Sequence, residues 1–206
     1  MITMRIPGLL LLLSLSVNAW CEEKPFYVGG ELGGAKLSDD GMSDFQSTDL
    51  TTGALRVFGG YQINRSFAAE VAIDWLGNYE SETIASDISS DYSAITLSAL
   101  GKIPLSNNLS FYAQLGFGFA SIYQDVAAIS GPYFVTGQTS DTGAATLFGA
   151  GFSFTIPTAK EVEIRAGVQQ LAFNVSAYAM DNAGYLMRHN YDQHIREFYL
   201  GAAYRF

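Results

Sequence analysis

The chain has 206 residues, enough for one domain and too few for two of ordinary size. Charged residues make up only 15% of it and the formal net charge is −9, whereas soluble domains carry about 25% charged residues. Part of the surface therefore contacts something other than water, and the negative charge argues against nucleic acid as a partner. No apolar run after Trp20 approaches the roughly 20 residues of a membrane-spanning helix. A membrane-bound form would have to be a closed β-barrel.

The N-terminus has the pattern of a secretory signal peptide. Arg5 precedes a short apolar core at 9–15, and a Val-Asn-Ala cleavage site precedes Trp20. We therefore predict a signal peptide at residues 1–19 and an outer-membrane β-barrel at residues 20–206.

The only cysteine, Cys21, follows this cleavage site, so no internal disulfide can form. A lipid-modified N-terminal cysteine needs a small residue directly before it. Because Trp20 occupies that position, we favour an unmodified thiol.

The rest of the chain alternates between apolar and polar residues in segments of about ten residues, the pattern of transmembrane strands. The eight segments are 26–37, 54–64, 66–77, 94–104, 110–123, 146–157, 162–173 and 198–206. Short turns follow the second, fourth and sixth. Long polar connections are predicted at 38–50, 79–91, 124–141 and 174–195. This arrangement predicts an all-β fold, an eight-stranded antiparallel up-and-down transmembrane β-barrel.

Charge identifies which face of each strand points inward. In the third segment, Glu70 and Asp74 alternate with the apolar residues Val71 and Ile73. A charge at the bilayer midplane on the lipid face costs about 2–4 kcal/mol, so the charged face must line the lumen. The charges predicted to line it are Glu31, Arg56, Glu70, Asp74, Lys102, Glu163 and Arg165, with Arg205 expected to join them. A soluble lipocalin-like barrel would show the reverse polarity, with an apolar interior.

Several segments resemble a known family. FYVGGELG, FGGYQIN, AAEVAIDWLG and LGAAYRF resemble strands one, two, three and eight of the outer-membrane protein A transmembrane domain family. The resemblance implies an outer-membrane location, an eight-stranded barrel with a polar, largely plugged interior, and a pair formed by Glu70 and Arg165. In that family a periplasmic peptidoglycan-binding domain follows the barrel. Because the sequence ends at Phe206, we expect this chain to lack that domain and its tethering function.

The last strand carries a second pattern that resembles a known signal. Phe198, Leu200, Tyr204 and Phe206 alternate along it, in the manner of the C-terminal signal that the barrel-assembly machinery reads. We therefore expect that machinery to be a partner during biogenesis.

The predicted long connections are strongly acidic. They contain twelve acidic residues, and Arg188 is their only lysine or arginine. The acidic residues are Asp39, Asp40, Asp44, Asp49, Glu80, Glu82, Asp87, Asp91, Asp125, Asp141, Asp181 and Asp192. These acidic connections either form only a solvated surface or contact lipopolysaccharide through divalent cations.

Catalytic motifs are absent from the sequence. Outer-membrane lipid A deacylases place a serine two residues after their histidine, because a hydroxyl nucleophile needs an adjacent base. In this chain the residue two positions after His189 is Tyr191, and the residue two positions after His194 is Arg196, so neither histidine has the serine. We predict no enzyme activity and no catalytic, cofactor or metal site.

We therefore predict a monomeric structural and surface-interaction protein of the outer membrane. Its expected partners are outer-membrane lipid, lipopolysaccharide and an extracellular ligand bound by the loops. The alternative is a narrow, low-conductance pore gated by an internal Glu–Arg network.

Overall fold

The computed structural model describes residues 24–39, 47–48, 51–82, 86–130, 133–180 and 186–206. The predicted signal peptide, its cleavage site and Cys21 lie outside the described residues. The eight long strands are β1 (Phe26–Asp39), β2 (Thr51–Asn64), β3 (Phe67–Glu82), β4 (Ser86–Pro104), β5 (Leu109–Ser130), β6 (Tyr133–Ile156), β7 (Ala159–Met180) and β8 (Leu186–Arg205). A two-residue strand, Ser47–Thr48, pairs with the end of β3. Within these described ranges no helix is long and apolar enough to cross a membrane.

The strands form a closed antiparallel barrel. Each strand pairs with its neighbour in the chain, and β8 pairs with β1 to close the sheet. Following the registers around the barrel from Gly29 leads back to β1 at Asp39, a shear of ten residues. A barrel of eight strands has an interior just wide enough for side chains to fill it. The predicted eight-stranded antiparallel barrel is confirmed.

The outer face carries a band of apolar side chains, here called the membrane belt. On β5 the belt runs from Phe111 to Phe119, nine residues that match the length of a tilted transmembrane strand, about 9–11 residues. Trp75 on β3 and Phe198 on β8 mark its upper edge, and both rings are exposed. Above this edge the outward residues become polar, as Ser121 shows on β5.

Short turns form the lower rim of the barrel. Two residues separate β2 from β3, four separate β4 from β5, and two separate β6 from β7. In the first turn the Asn64 side-chain oxygen accepts hydrogen bonds from the backbone N–H groups of Ser66 (2.8 Å) and Phe67 (2.9 Å). An asparagine that bonds the backbone two and three residues later stabilises a tight turn.

The strands are longer than the sequence analysis predicted, and this is a correction. The connections predicted at 79–91, 124–141 and 174–195 consist largely of strand, since β5 continues to Ser130 and β7 to Met180. In these parts the alternation continues with largely reversed polarity. Most outward residues are polar, and most inward ones are apolar, with Ser90, Gln124 and Gln193 as buried polar exceptions. We call these parts of β4 to β8 above the belt the upper extension. The sequence pattern of a transmembrane strand has an apolar outward face, so it does not extend into these parts.

A bulge in β3 contributes to the same difference. The register between β3 and β4 shifts between Trp75 and Asn78, and Gly77 has a φ of +85°. This left-handed conformation favours glycine. The extra residue changes the alternation, so that Leu76 and Tyr79 both point into the lumen.

Candidate functional site

Arg165 on β7 is the centre of an ionic network in the lower lumen. Its side chain is only 2% exposed, and its Nη1 lies 2.5 Å from Glu70 Oε1 on β3. Its Nε also donates to Glu163 Oε1 at 2.8 Å. The guanidinium carbon lies 4.8 Å from the centre of the Phe58 ring and 5.2 Å from that of Tyr27, close enough for cation–π attraction. Arg165 therefore binds two carboxylates and two aromatic faces at once.

Glu163 forms ion pairs with the two other cations of this network. Lys102 Nζ donates to its Oε1 at 3.0 Å, and Arg205 Nη2 donates to its Oε2 at 3.0 Å. The Tyr27 hydroxyl donates to Glu70 at 2.8 Å. The network thus holds three cations and two carboxylates, so that its buried charges are largely compensated, as buried charges must be.

A second ionic cluster lies around Arg56 on β2. The registers place Arg56 between Glu31 on β1 and Asp74 on β3. Arg56 Nη1 donates to Asp74 Oδ1 at 2.7 Å, while its Nε lies 3.6 Å from Glu31 Oε2. The Thr96 hydroxyl donates to the other Asp74 oxygen at 3.4 Å. In this cluster two carboxylates share one guanidinium.

Together the two clusters contain all eight charges that the sequence analysis assigned to the lumen. Seven of the side chains are buried, and Arg205 is half-buried. The structure brings Glu70 and Arg165 together as the resemblance implied. It also joins Lys102, Glu163 and Arg205 to them, which the sequence did not indicate.

Glu197 is a buried carboxylate that the sequence analysis missed. It lies on β8, is 4% exposed, and accepts a hydrogen bond from Gln169 Nε2 at 3.2 Å. Its Oε1 contacts no hydrogen-bond donor in the described part of the chain. Glu197 has the same inward parity as Tyr199 and Ala203, which could have identified it from the sequence. The predicted strand, however, began one residue later, at Phe198.

Aromatic rings fill the space that glycines leave in the lower lumen. A Cβ atom added to any of four glycines would overlap an aromatic side chain. The ring and glycine pairs are Phe58 with Gly29, Tyr27 with Gly60, Tyr112 with Gly151 and Tyr199 with Gly167. The hydroxyls of Tyr112 and Tyr199 also lie 2.6 Å apart. Large side chains facing glycines give close packing without strain, so little open space remains at this level.

An apolar cluster lies in the lumen above the charges, and we call it the upper plug. It consists of Ala35, Leu37, Ala54, Leu76, Tyr79, Tyr92, Ala94, Ala120, Ile122, Ala145, Leu147, Leu171, Phe173, Val175 and Ile195. The rings of Tyr79 and Tyr92 meet edge to face at 5.4 Å. The interior is therefore charged in the lower lumen and mixed above it, where residues of the upper plug alternate with the buried polar side chains of Ser90, Gln124 and Gln193. The apolar part of this upper lumen is a second correction to the sequence analysis.

The upper extension carries an acidic outer surface. Asp87, Asp91, Asp125 and Asp192 are exposed there. Asp87 and Asp125 line one crevice of about 340 Å³. The backbone N–H of Ser176 donates to Asp141 Oδ2 at 2.6 Å and lowers the pKa of that carboxyl below its usual value.

Several of the predicted acidic residues, namely Asp40, Asp44, Asp49 and Asp181, lie outside the described residues. Within the described ranges, no three His, Cys, Asp or Glu side chains are grouped to hold a metal ion.

The residues of the predicted assembly signal share the outer face of β8. Phe198, Leu200, Tyr204 and Phe206 are all exposed. The backbone N–H of Phe206 donates to the carbonyl of Phe26 on β1 at 3.0 Å. The end of the described chain is therefore tied to the seam where the barrel closes.

A closed antiparallel barrel of eight strands, with an apolar outer belt and a charged lumen, defines an integral outer-membrane barrel protein. A family model for the OmpA-like transmembrane domain matches residues 21–206, and the chain belongs to this family. The protein is accordingly located in the outer membrane.

Curated relatives agree with this assignment. Outer membrane protein A of Klebsiella pneumoniae is 28% identical over 152 residues, which cover 68% of this chain and 42% of the relative. Outer membrane protein A of Shigella flexneri is 26% identical over 141 residues, covering 66% and 38%. The chain thus spans about two fifths of the length of these relatives.

Solved structures show the same fold at low identity. Ail of Yersinia pestis, in complex with the heparin analogue sucrose octasulfate, is 17% identical with a TM-score of 0.53, covering 90% of this chain and all of Ail. A major outer membrane protein of Thermus thermophilus is 10% identical with a TM-score of 0.52, covering 87% and 99%.

Proposed function

We propose that this protein is a structural and surface-interaction barrel of the outer membrane, closed to ions in its resting state. The observation that carries the proposal is that two different layers fill the lumen. Below, Arg165 and its partners form a buried ionic network; above, the upper plug is apolar. An ion would have to displace both layers. Apolar side chains make up most of this upper layer, and the buried polar side chains beside them, Ser90, Gln124 and Gln193, are uncharged, so an ion there would lose most of its hydration shell.

The acidic upper extension is the part that contacts the surroundings. Long-loop ends of outer-membrane barrels face the outside of the cell, and the exposed carboxylates there include Asp87 and Asp125. Divalent cations held by these carboxylates would bridge the barrel to the phosphates of lipopolysaccharide. The same surface is available to a host or environmental ligand. The highly anionic ligand named with Ail would meet repulsion on this surface, so a ligand here should be neutral, cationic or bridged by a cation.

The ends of the sequence fit the biogenesis of such a barrel. A signal peptide at 1–19 would direct export, and the outward residues of β8 would be read by the barrel-assembly machinery. The matched family is a transmembrane-domain family without an enzyme name, and we include a non-catalytic, monomeric role in the proposal.

The second candidate function is a narrow pore gated in the ionic network. One observation favours it: Arg165 already contacts both Glu70 and Glu163, so it could exchange partners with a small movement. Opening would also require the upper plug to separate.

Single-channel recording distinguishes the two functions. Protein is refolded in detergent, its folding is verified by a heat-dependent band shift on SDS gels, and the same sample is inserted in a planar bilayer. We expect no discrete openings from the wild type. Glu70→Ala and Arg165→Ala are compared with Lys24→Ala, which removes an exposed ion pair with Glu161. Regular openings of the wild type that change in the two lumen variants, but not in the control, would establish the pore instead.

The acidic surface is tested by removing its charges. We expect Asp87→Asn/Asp125→Asn to weaken magnesium-dependent binding of purified lipopolysaccharide about two- to fivefold, because exposed ionic contacts are individually weak. Binding is measured with protein in nanodiscs, with magnesium and with a chelator. Glu161→Gln, an exposed carboxylate at the lower rim, is the control and should bind like the wild type. Equal binding by all three proteins would rule out this surface as the cation bridge.

A further inference from the structure

Two cations face each other on the outer wall of the barrel at the seam between β1 and β8. Lys36 on β1 is the register partner of Arg196 on β8, and both side chains are exposed. Directly opposed residues on neighbouring strands have Cβ atoms about 4.5–5.5 Å apart, and like charges in that position destabilise a sheet. An anion bound between them would remove this repulsion.

The surroundings leave both cations available to such an anion. Within the described residues, no carboxylate lies within ion-pairing distance of Lys36 or Arg196. Gln170 accepts a hydrogen bond from Arg196 Nε at 3.2 Å, which orients the guanidinium. Asp192, a described acidic residue on the same face of β8, accepts a hydrogen bond from Asn174 at 2.6 Å. The third base of the upper surface, Arg188, lies 3.5 Å from Asp141 instead.

The wall directly below the pair is strongly apolar. Leu32, Phe198 and Leu200 are 66%, 69% and 62% exposed, among the highest values of any large apolar side chains described. Gly34, the register partner of Phe198, has no side chain and leaves a gap beside that ring. The pair therefore stands at the upper edge of the membrane belt, where the headgroup of an outer-leaflet lipid lies above its acyl chains.

We propose that Lys36 and Arg196 form a binding site for the phosphate of a phosphorylated outer-leaflet glycolipid, whose acyl chains lie against Leu32, Phe198 and Leu200. Two charge-assisted donors converging on one phosphate are a strong form of recognition. This site contacts the lipid without a divalent cation and is separate from the acidic crevice of Asp87 and Asp125. It deepens the lipid contact of the proposed function, on which it rests, but it does not depend on that crevice.

The test measures lipid binding to the full chain refolded in zwitterionic detergent. The probes are diphosphoryl lipid A, chemically dephosphorylated lipid A and inorganic phosphate, each with a chelator present. Binding is followed by native mass spectrometry and by the temperature of the heat-dependent band shift. Lys36→Gln/Arg196→Gln is compared with Arg65→Gln/Lys160→Gln, which removes two positive charges near the lower rim.

We expect diphosphoryl lipid A to bind the wild type and the control equally, and the Lys36→Gln/Arg196→Gln protein about tenfold more weakly. Without lipid, that variant should be at least as stable as the wild type, because the repulsion between the two cations is gone. Lys36→Arg should retain binding.

Equal lipid A affinity of the wild type and Lys36→Gln/Arg196→Gln would overturn the proposal, as would equal binding of dephosphorylated lipid A. Stabilisation by inorganic phosphate alone to the same extent would show a free-anion site and would also overturn it. A failure of the acidic crevice to bind lipopolysaccharide through magnesium leaves these chelated measurements unaffected.

Discussion

Replacing Arg165 with methionine is expected to lower the free energy of unfolding by about 3–5 kcal/mol, because removing one partner leaves buried charges uncompensated. The carboxylate most affected is Glu70, which among the described residues would keep the hydrogen bond from Tyr27 alone. Glu163 would still hold Lys102 and Arg205. The measurement is equilibrium unfolding in urea of protein refolded into lipid vesicles.

The matched control removes the carboxylate charge together with the cation. Glu70→Gln/Arg165→Met should be markedly more stable than Arg165→Met alone, because residue 70 then carries no charge for Arg165 to compensate. Lys24→Met, which breaks an exposed ion pair, should be indistinguishable from the wild type. If Arg165→Met unfolded like the wild type, water would have to reach Glu70, and the closed lumen would be wrong.

The faces of the strands could be predicted from the sequence because one energetic term dominates there. A charge facing lipid is costly, so the parity of Glu70 and Asp74 was sufficient to assign both faces of β3. The same argument placed Arg56 and Lys102. Within the membrane belt the alternation of polar and apolar residues is therefore sufficient to predict which side chains point into the lumen and which point to lipid.

Above the belt a charge on the outer face costs little, because no lipid contacts it. The length of the strands was therefore predicted wrongly there. Water solvates the outer face of the upper extension, so polar residues such as Asp125 point outward while Ile122 and Val175 pack inside. This is the polarity of a soluble barrel, built on the same strands as the membrane part. A reader of the sequence sees the reversed alternation as a polar loop. The bulge at Gly77, which changes the parity of β3 before Tyr79, adds to the difficulty.

The partners within the lumen depend on register, which the sequence does not display. Lys102 and Glu163 are 61 residues apart in the chain, and their contact follows from the shear of the closed barrel. The resemblance supplied the pair of Glu70 and Arg165 but not the position of Glu163 as a hub. Likewise, the apposition of Lys36 and Arg196 becomes visible only when β8 is paired with β1.

The boundary between the two environments can be tested on a single strand. Leu115 on β5 lies within the belt and is exposed, and Tyr123 points outward from the same strand eight residues later. With about 3.3 Å per residue and a tilt near 45°, the two side chains differ in height by about 19 Å. Leu115→Arg should therefore destabilise the protein by about 2–4 kcal/mol in lipid vesicles, and Tyr123→Arg by about 0–1 kcal/mol.

Both variants introduce the same charge on the same face, so differences in strand propensity or refolding efficiency affect them alike. In detergent, where no bilayer fixes a midplane, the difference between them should shrink. A loss of stability for Tyr123→Arg as large as that for Leu115→Arg would place the upper extension inside the membrane. Its polar outward residues would then have no water to contact, and neither the acidic crevice nor the Lys36–Arg196 site could lie at a headgroup. A single pair of unfolding curves thus decides whether the upper half of this barrel stands outside the bilayer.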